Sequence, residues 1–384
     1  MNPRLNTDVN NNGTEKKKSF TFADLPTSIL ELIMVYLMLK DNIRASAVCK
    51  AWREAAELVR VVGKHPWVIT LPKYGGFIDL IDPLQRKLYS LYFPRKLAKT
   101  KVCYSKDGWL LLRQRSSFAD MFFFNPFTRE IKSLPSCKFY FQAVAFSSAP
   151  TSGTCTVIVL NPLTRRISIF YPGATEWNYM DISGPHGFCP NEHSNIVYAN
   201  GHFYCFYLIG GLLDFDVSSR TVSFQLWDEH RIPYFHNNEL MSHRRIIYLM
   251  EQRGVFFVMY TCGTAAPLVY KIVSSKWEEM TGTTLDGLAI FASLHSSETR
   301  VNVPGMGNSV NFSKYSLRAE RCLSYSLDKG RYYPRKRLPI PKNPSKSFQC
   351  PRRSIWIEPP SEKVLDLMCK AKQRDVLQGI LIAL

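Results

Sequence analysis

The sequence predicts a mainly β chain with a small α module at its N-terminus. Three observations predict it. After Gly63 helical spacing stops, and short runs of β-branched and aromatic residues take over, separated by Gly, Pro, Asn and Asp clusters, as far as about Ile357. Between those runs one kind of turn recurs. Before Gly63, by contrast, apolar residues fall three and four apart, as on helices. The chain has 384 residues, 46% of them apolar, which is long enough for one large core and a satellite module.

Residues 1–19 are polar, rich in Asn and end in Lys16-Lys17-Lys18. They read as a disordered, solubilising tail. Residues 20–61 read as a three-helix unit. Asp24 can cap the first helix, and Pro26 suits its first turn, where a missing N–H costs nothing. The run ILELIMVYLMLK then carries two stripes, Ile29, Leu30, Ile33 and Leu37 on one and Leu32, Val35, Tyr36 and Leu39 on the other. A helix apolar nearly all round must be buried nearly all round. Asp41 can start a second short helix, and a third runs on from Cys49-Lys50-Ala51-Trp52. On that third segment Val48, Ala51, Trp52, Ala55 and Val59 share a face, with Lys50, Arg53, Glu54, Glu57 and Arg60 opposite. A unit of about 40 residues is too small to bury that much apolar surface alone. The excess on the first helix is covered either by the residues from 66 onward or by another protein.

From 66 to 357 the runs are strands: Trp67–Thr70, Trp109–Leu112, Met121–Phe124, Thr156–Leu160, His202–Phe206 and Val255–Tyr260 among them. Asp82-Pro83-Leu84-Gln85-Arg86, Asn125-Pro126-Phe127-Thr128-Arg129, Asn161-Pro162-Leu163-Thr164-Arg165 and Asp216-Val217-Ser218-Ser219-Arg220 each follow such a run. Val273-Ser274-Ser275-Lys276 and Leu327-Asp328-Lys329-Gly330 are fainter copies. Asn or Asp bonds its own backbone in such a turn, and Pro sets the next φ. The first four copies stand 43, 36 and 55 residues apart. Repeats of roughly 40–50 residues made only of strands indicate propeller blades. Six blades fit best, and five or seven are compatible.

Residues 331–353 are strongly basic, with Arg331, Arg335, Lys336, Arg337, Lys342, Lys346, Arg352 and Arg353 and no acid, and are interrupted by five prolines. Tyr332, Tyr333 and Phe348 interleave with the charges, as in a single-strand nucleic-acid binder, but a solvated loop has the same composition. Residues 358–384 form a C-terminal tail that returns to helical spacing at Val364, Leu365, Leu367 and Met368, then Val376, Leu377, Ile380 and Leu381.

The net charge is +18, and none of it belongs to residues 20–61, where five bases meet five acids. Nucleic acid, anionic membrane and acidic protein surfaces are all compatible with such a balance. The N-terminus lacks the apolar stretch of a secretory signal. Ten cysteines are scattered without a CxxC pair, which reads as reduced thiols in nucleus or cytoplasm. The longest apolar stretches, near Ile29–Leu39 and Phe203–Leu213, are about half of what a spanning helix requires, so no membrane span is expected.

Leu25-Pro26 with Ile29, Leu30 and Ile33, then Leu37, Asp41, Arg44, Val48-Cys49-Lys50 and Trp52-Arg53, resembles the F-box motif. Leu-Pro alone is common, but Leu-Pro followed 22 residues after the Pro by Val-Cys-Lys-x-Trp-Arg is more specific. The resemblance implies docking on the Skp adaptor of a cullin-based ubiquitin ligase, which would cover the first helix. It implies that Leu25, Pro26, Ile29, Leu30, Ile33 and Leu37 are the adaptor-binding positions, with Leu25, Pro26, Leu30 and Ile33 foremost. It puts Val48 and Trp52 in the core of the unit. Residues 66–357 resemble the plant F-box-associated propeller of KIB type. The carrying residues are Asp107-Gly108-Trp109-Leu110-Leu111, Phe123-Phe124-Asn125-Pro126-Phe127-Thr128, Ile131 to Pro135, Gly305-Met306-Gly307-Asn308-Ser309-Val310-Asn311-Phe312 and Trp356-Ile357-Glu358-Pro359. That family has an aromatic where Asn311 sits, so an irregular blade is expected there. No target-binding residue of the propeller carries over.

Enzyme motifs are missing: no GxSxG, HExxH, P-loop or GxGxxG occurs. His186, Cys189 and His193 lie close in sequence but lack an obvious fourth ligand, so no metal site is assigned. Asp214 and Asp216 share one face of a strand and read as a turn-flanking pair. No cofactor is expected. The expectation is therefore a non-catalytic substrate receptor of an SCF-type ligase, one module holding the ligase and the other a target with an acidic or phosphorylated surface. The rivals are an adaptor-bound scaffold without a role in degradation, a propeller enzyme or sugar-binding module, for which no converging carboxylates are legible, and a basic propeller that binds nucleic acid or another anion.

Overall fold

The structure is a computed structural model. It describes residues 25–36, 45–59, 65–74, 76–94, 97, 99–114, 120–136, 143–161, 166–182, 195–207, 211–226, 246–261, 265–273, 276–301, 303–316, 321–334 and 350–359. The 1–19 tail, the Asp24 cap, Leu37, the Asp41 helix, the His186–His193 group, the basic segment from 335 to 349 and the helical run after 360 lie outside these. The chain divides into two compact units, Met1–Val61 and Val62–Leu384.

In the first unit α1 (Thr27–Tyr36) packs against α2 (Lys50–Val59). The carbonyl of Pro26 accepts the N–H groups of Ile29 and Leu30 at 2.9 and 3.1 Å, so the proline stands at the mouth of the helix and begins it. Leu30 and Met34, four apart, are buried, as are Ala55 and Ala56 of α2. Two small residues on α2 let the helices approach closely.

The second unit is a six-bladed propeller. Blade 1 has the order β25 (Ser354–Ile357), β1 (Trp67–Thr70), β2 (Gly76–Asp82), β3 (Lys87–Phe93). Blade 2 is β4 (Thr100–Lys106), β5 (Trp109–Gln114), β6 (Met121–Phe124) and β7 (Ile131–Ser133). Blade 3 is β8 (Ala143–Phe146), β9 (Val157–Asn161), β10 (Arg166–Phe170) and β11 (Asn178–Asp181). Blade 4 is β12 (Ile196–Ala199), β13 (His202–Tyr207), β14 (Gly211–Asp216) and β15 (Thr221–Leu226). Blade 5 is β16 (Ile246–Gln252), β17 (Val255–Thr261), β18 (Leu268–Val273) and β19 (Lys276–Met280). Blade 6 is β21 (Ser297–Arg300), β20 (Ala289–Ala292), β22 (Ser309–Ser316), β23 (Arg321–Ser326) and β24 (Arg331–Tyr333).

Blade 1 is closed by both ends of the propeller sequence. β25 pairs antiparallel with β1, Trp67 opposite Ile357 and Thr70 opposite Ser354. Such closure ties the first and last strands of the ring into one blade. Just before β1, His65 Nε2 lies 2.9 Å from the buried Asp82 Oδ1. Blade 6 is the irregular one. Its β20 runs parallel to β22, with β21 added on the inside, and the register of β22 with β23 shifts between Asn311 and Tyr315. Asn311 is buried, and its Nδ2 donates to Ile290 O at 3.3 Å and to Ser309 Oγ at 3.0 Å. An amide there ties the parallel pair together in a way an aromatic ring would not.

The recurring turn is built as the residues require. Asp82 Oδ1 accepts Leu84 N and Gln85 N at 2.9 and 3.0 Å, and Asn125 Oδ1 accepts Phe127 N and Thr128 N at the same distances. Asp216 does the same for Ser218. Each of these three turns ends on an arginine of positive φ, Arg86, Arg129 and Arg220. They join the third and fourth strands of blades 1, 2 and 4. The Asn161 copy differs: Asn161 ends β9, the second strand of blade 3, and the other four residues of that copy lie outside the described ones. That accounts for the uneven spacings, because Asn125 and Asp216 are two blades apart.

Candidate functional site

On α1 the side chains sort by side. Leu30 is buried against the unit, whereas Ile29 is 43% and Leu32 55% exposed. Pro26 is exposed, and Leu25 and Ile33 are half-buried. Two sequence expectations change. Leu30, put among the foremost docking positions, is core. Val48, expected in the core, precedes α2 in a turn and is 65% exposed. Trp52 is half-buried on the α2 face that carries the buried Ala55. Ile29, Leu32 and Val48 leave apolar surface in water.

A concave feature lies on the propeller axis. In blades 2, 4 and 5 the two innermost strands are joined by two-residue turns, Asp107-Gly108, Asn200-Gly201 and Arg253-Gly254. Both residues of each have positive φ (49° and 74° in the first), the geometry of a type I′ hairpin. Those tight turns end the inner strands together at one face. There a cavity of about 280 Å³ opens. Blade 2 supplies Tyr104, Ser105, Lys106 and Asp107. Blades 4 and 5 supply Val197, Tyr198 and Glu251. Ser296 to Arg300 come from blade 6, and Trp356 and Glu358 from blade 1.

The mouth holds four carboxylates and two cations. One Arg300 Nη bridges Glu298 at 2.7 Å and Glu358 at 2.9 Å, tying blade 6 to the end of β25. Ser296 Oγ donates to Ser105 O of blade 2 at 3.4 Å. Lys106 Nζ lies 5.3 Å from the centre of the Tyr198 ring. Glu251 accepts the N–H of Gly254 from its own turn. Burial pushes the Glu298 carboxyl above its ordinary range, against the pull of Arg300. Burial also raises Asp107, with Glu358 adding to it and Lys106, Arg300 and a backbone bond to Ala149 opposing. Arg300 itself is held above its ordinary value, because its two carboxylates outweigh the cost of burial.

These carboxylates do not stand out in the sequence, since they come from blades 1, 2, 5 and 6. The one signal is local: Asp107 opens the Gly-bearing turn of one innermost hairpin, and Glu251 stands just before that of another. Among the described residues no group of three His, Cys, Asp or Glu is arranged to hold a metal ion. Asp214, weighed above, bonds His202 Nδ1 at 2.7 Å on blade 4, while Asp216 caps its turn. The two therefore act separately. The described cysteines are free thiols, and no described helix is long and apolar enough to cross a membrane.

A small helical unit with an uncovered apolar face, joined to a six-bladed propeller, defines a two-module class of chain. Residues 22–60 match the family described as F-box-like, and residues 77–332 match the KIB1-4 beta-propeller. F-box protein At4g00893 of Arabidopsis thaliana is 44% identical over 90% of this chain and 88% of its own length. F-box/kelch-repeat protein At1g57790 of the same plant is 36% identical over 88% and 94%, and F-box protein At3g56470 is 35% identical over 90% and 91%. The chain belongs to the F-box proteins that carry a KIB1-4 β-propeller.

Proposed function

We propose that this chain is the substrate-recognition subunit of an SCF-type ubiquitin ligase, working in the nucleus or cytoplasm without catalysing a reaction itself. The observation that carries the reading is the exposed apolar face of α1, with Ile29 and Leu32 in water on a helix of F-box sequence. A Skp adaptor is the partner that such a helix fits. Leu25, Pro26, Ile29 and Ile33 are the described positions able to touch it, together with Leu32; Leu30 supports them from beneath. The cullin core is reached through that adaptor. The propeller holds the target, so that a target lysine is kept near the charged ubiquitin carrier. The gain is one of effective concentration and needs no catalytic group here.

The net charge of +18 favours an acidic or phosphorylated target surface over the outside of the propeller. It does not extend to the axial mouth, where the carboxylate surplus disfavours a phosphate. The test is capture of a Skp adaptor by the intact chain and by the Leu25→Ala/Pro26→Ala variant. Capture by the first and not by the second supports the reading; no capture by a well-folded intact chain sinks it. A captured target whose half-life ignores loss of this chain would favour a scaffold instead.

A further inference from the structure

We propose that the axial mouth of the propeller seats a lysine or arginine side chain presented by the protein target. The inference rests on the receptor reading above only in taking the ligand to be part of a protein.

The mouth is charged opposite to the chain. Asp107, Glu251, Glu298 and Glu358 face only Lys106 and Arg300, a surplus of two negative charges in a protein of +18. Arg300 is committed to Glu298 and Glu358. Among the described residues Asp107 and Glu251 take part in no ion pair, and Lys106 leans on Tyr198 instead. Two carboxylates on one rim are thus without a direct ion pair.

Uncharged groups in the walls point the same way. Ser105 Oγ and Thr299 Oγ1 belong to lining residues more than nine-tenths buried, and among the described residues neither hydroxyl has a hydrogen-bond partner. Buried hydroxyls are ordinarily satisfied, so these two leave unused acceptor capacity in the walls of the cavity. An ammonium carries three donors and a guanidinium five, and neither carries an acceptor. One ring of the lining, Tyr198, already holds a cation over its face, the ammonium of Lys106. A volume of about 280 Å³ is at the small end for ligand sites, which suits one side chain rather than a nucleotide or a folded segment.

The experiment is ligand-observed NMR on the full chain with four probes: the N-acetyl amides of arginine, lysine, glutamine and glutamate. Saturation transfer to arginine or lysine and not to glutamine or glutamate is expected. The Asp107→Asn/Glu251→Gln variant removes both unpaired charges, keeps the turn chemistry and is expected to bind the cationic probe at least about fivefold more weakly. Asp181→Asn, which removes the carboxylate of the exposed 2.8 Å pair with Arg166 on blade 3, is expected to change nothing. Transfer equal across the four probes, preference for glutamate, unaltered binding by the double variant, or no transfer to the arginine and lysine probes at millimolar concentration would each overturn the proposal. Skp capture is read on the same preparations. Capture without cation binding sinks the mouth alone, and cation binding without capture sinks only the receptor reading.

Discussion

At the scale of the residue, two positions show how differently sequence and structure speak. Asn125 was legible. Its place after Met121–Phe124 and before Pro126 told both that the chain turns and how, and its Oδ1 accepts two backbone N–H groups. Asn125→Ala leaves them to water and is expected to cost about 1 kcal/mol, because both are near the surface; the urea midpoint measures it. Asn125→Asp keeps the acceptor and is expected to cost less. Gly282 was not legible, since nothing around Thr281-Gly282-Thr283 marks it as special. In the structure a Cβ there would stand 2.7 Å from the backbone N and Cα of Asp328 and closer still to its carboxylate. Two loops from different blades cross at that point, and backbone cannot swing aside as a side chain can. Gly282→Ala is expected to destabilise the propeller by roughly 1–3 kcal/mol, seen as a lower melting temperature with Skp capture unchanged.

At the scale of the element, α1 shows what periodicity can and cannot say. The helix, its start at Pro26 and its excess of apolar surface were all readable. Which side packs inward was not, because a helix apolar nearly all round has no phase to read. Leu30 and Met34 turn out to be the inner line and Ile29 and Leu32 the outer. The distinction makes a pair of contrasting variants. Leu30→Ala empties a buried site and is expected to cost ~2–5 kcal/mol, so any loss of adaptor capture should come with loss of helical circular dichroism. Ile29→Asp with Leu32→Asp places charge on exposed positions. It is expected to abolish capture while the helical signal and the melting of the unit stay as they were. Equal loss of helix in both would mean that the outer line also supports the fold. The same limit applies to the blades. Asn161 opens a copy with the residues of its relatives but ends the second strand of its blade and not the third, since turn chemistry reports that the chain reverses and not which strand of a blade has been reached.

At the scale of the whole molecule, the properties that matter belong to no single segment. Ring closure brings Ile357 against Trp67, and Trp356 Nε1 reaches Ala292 O of blade 6 at 3.0 Å. The mouth likewise takes its charges from blades 1, 2, 5 and 6, which is why a one-dimensional reading finds no converging carboxylates. Its behaviour with pH follows from the same assembly. Burial raises Glu298 and Asp107, so in the folded chain their protonated forms are favoured relative to the unfolded one. On their own they stabilise the fold fully below the ordinary carboxylate range, and that contribution is lost as pH rises through their raised values. A bound cation reverses the balance, because it favours the ionised forms. The remaining charged groups facing them are Glu251, Glu358, Lys106 and Arg300, and Arg300 stays charged throughout. Affinity for the arginine probe is therefore expected to climb between about pH 4 and pH 7, and the melting-temperature gain from the probe to climb with it. Titrations across that window check both. A flat profile would mean that Glu298 and Asp107 stand outside the binding step and that Glu251 and Glu358 alone meet the cation.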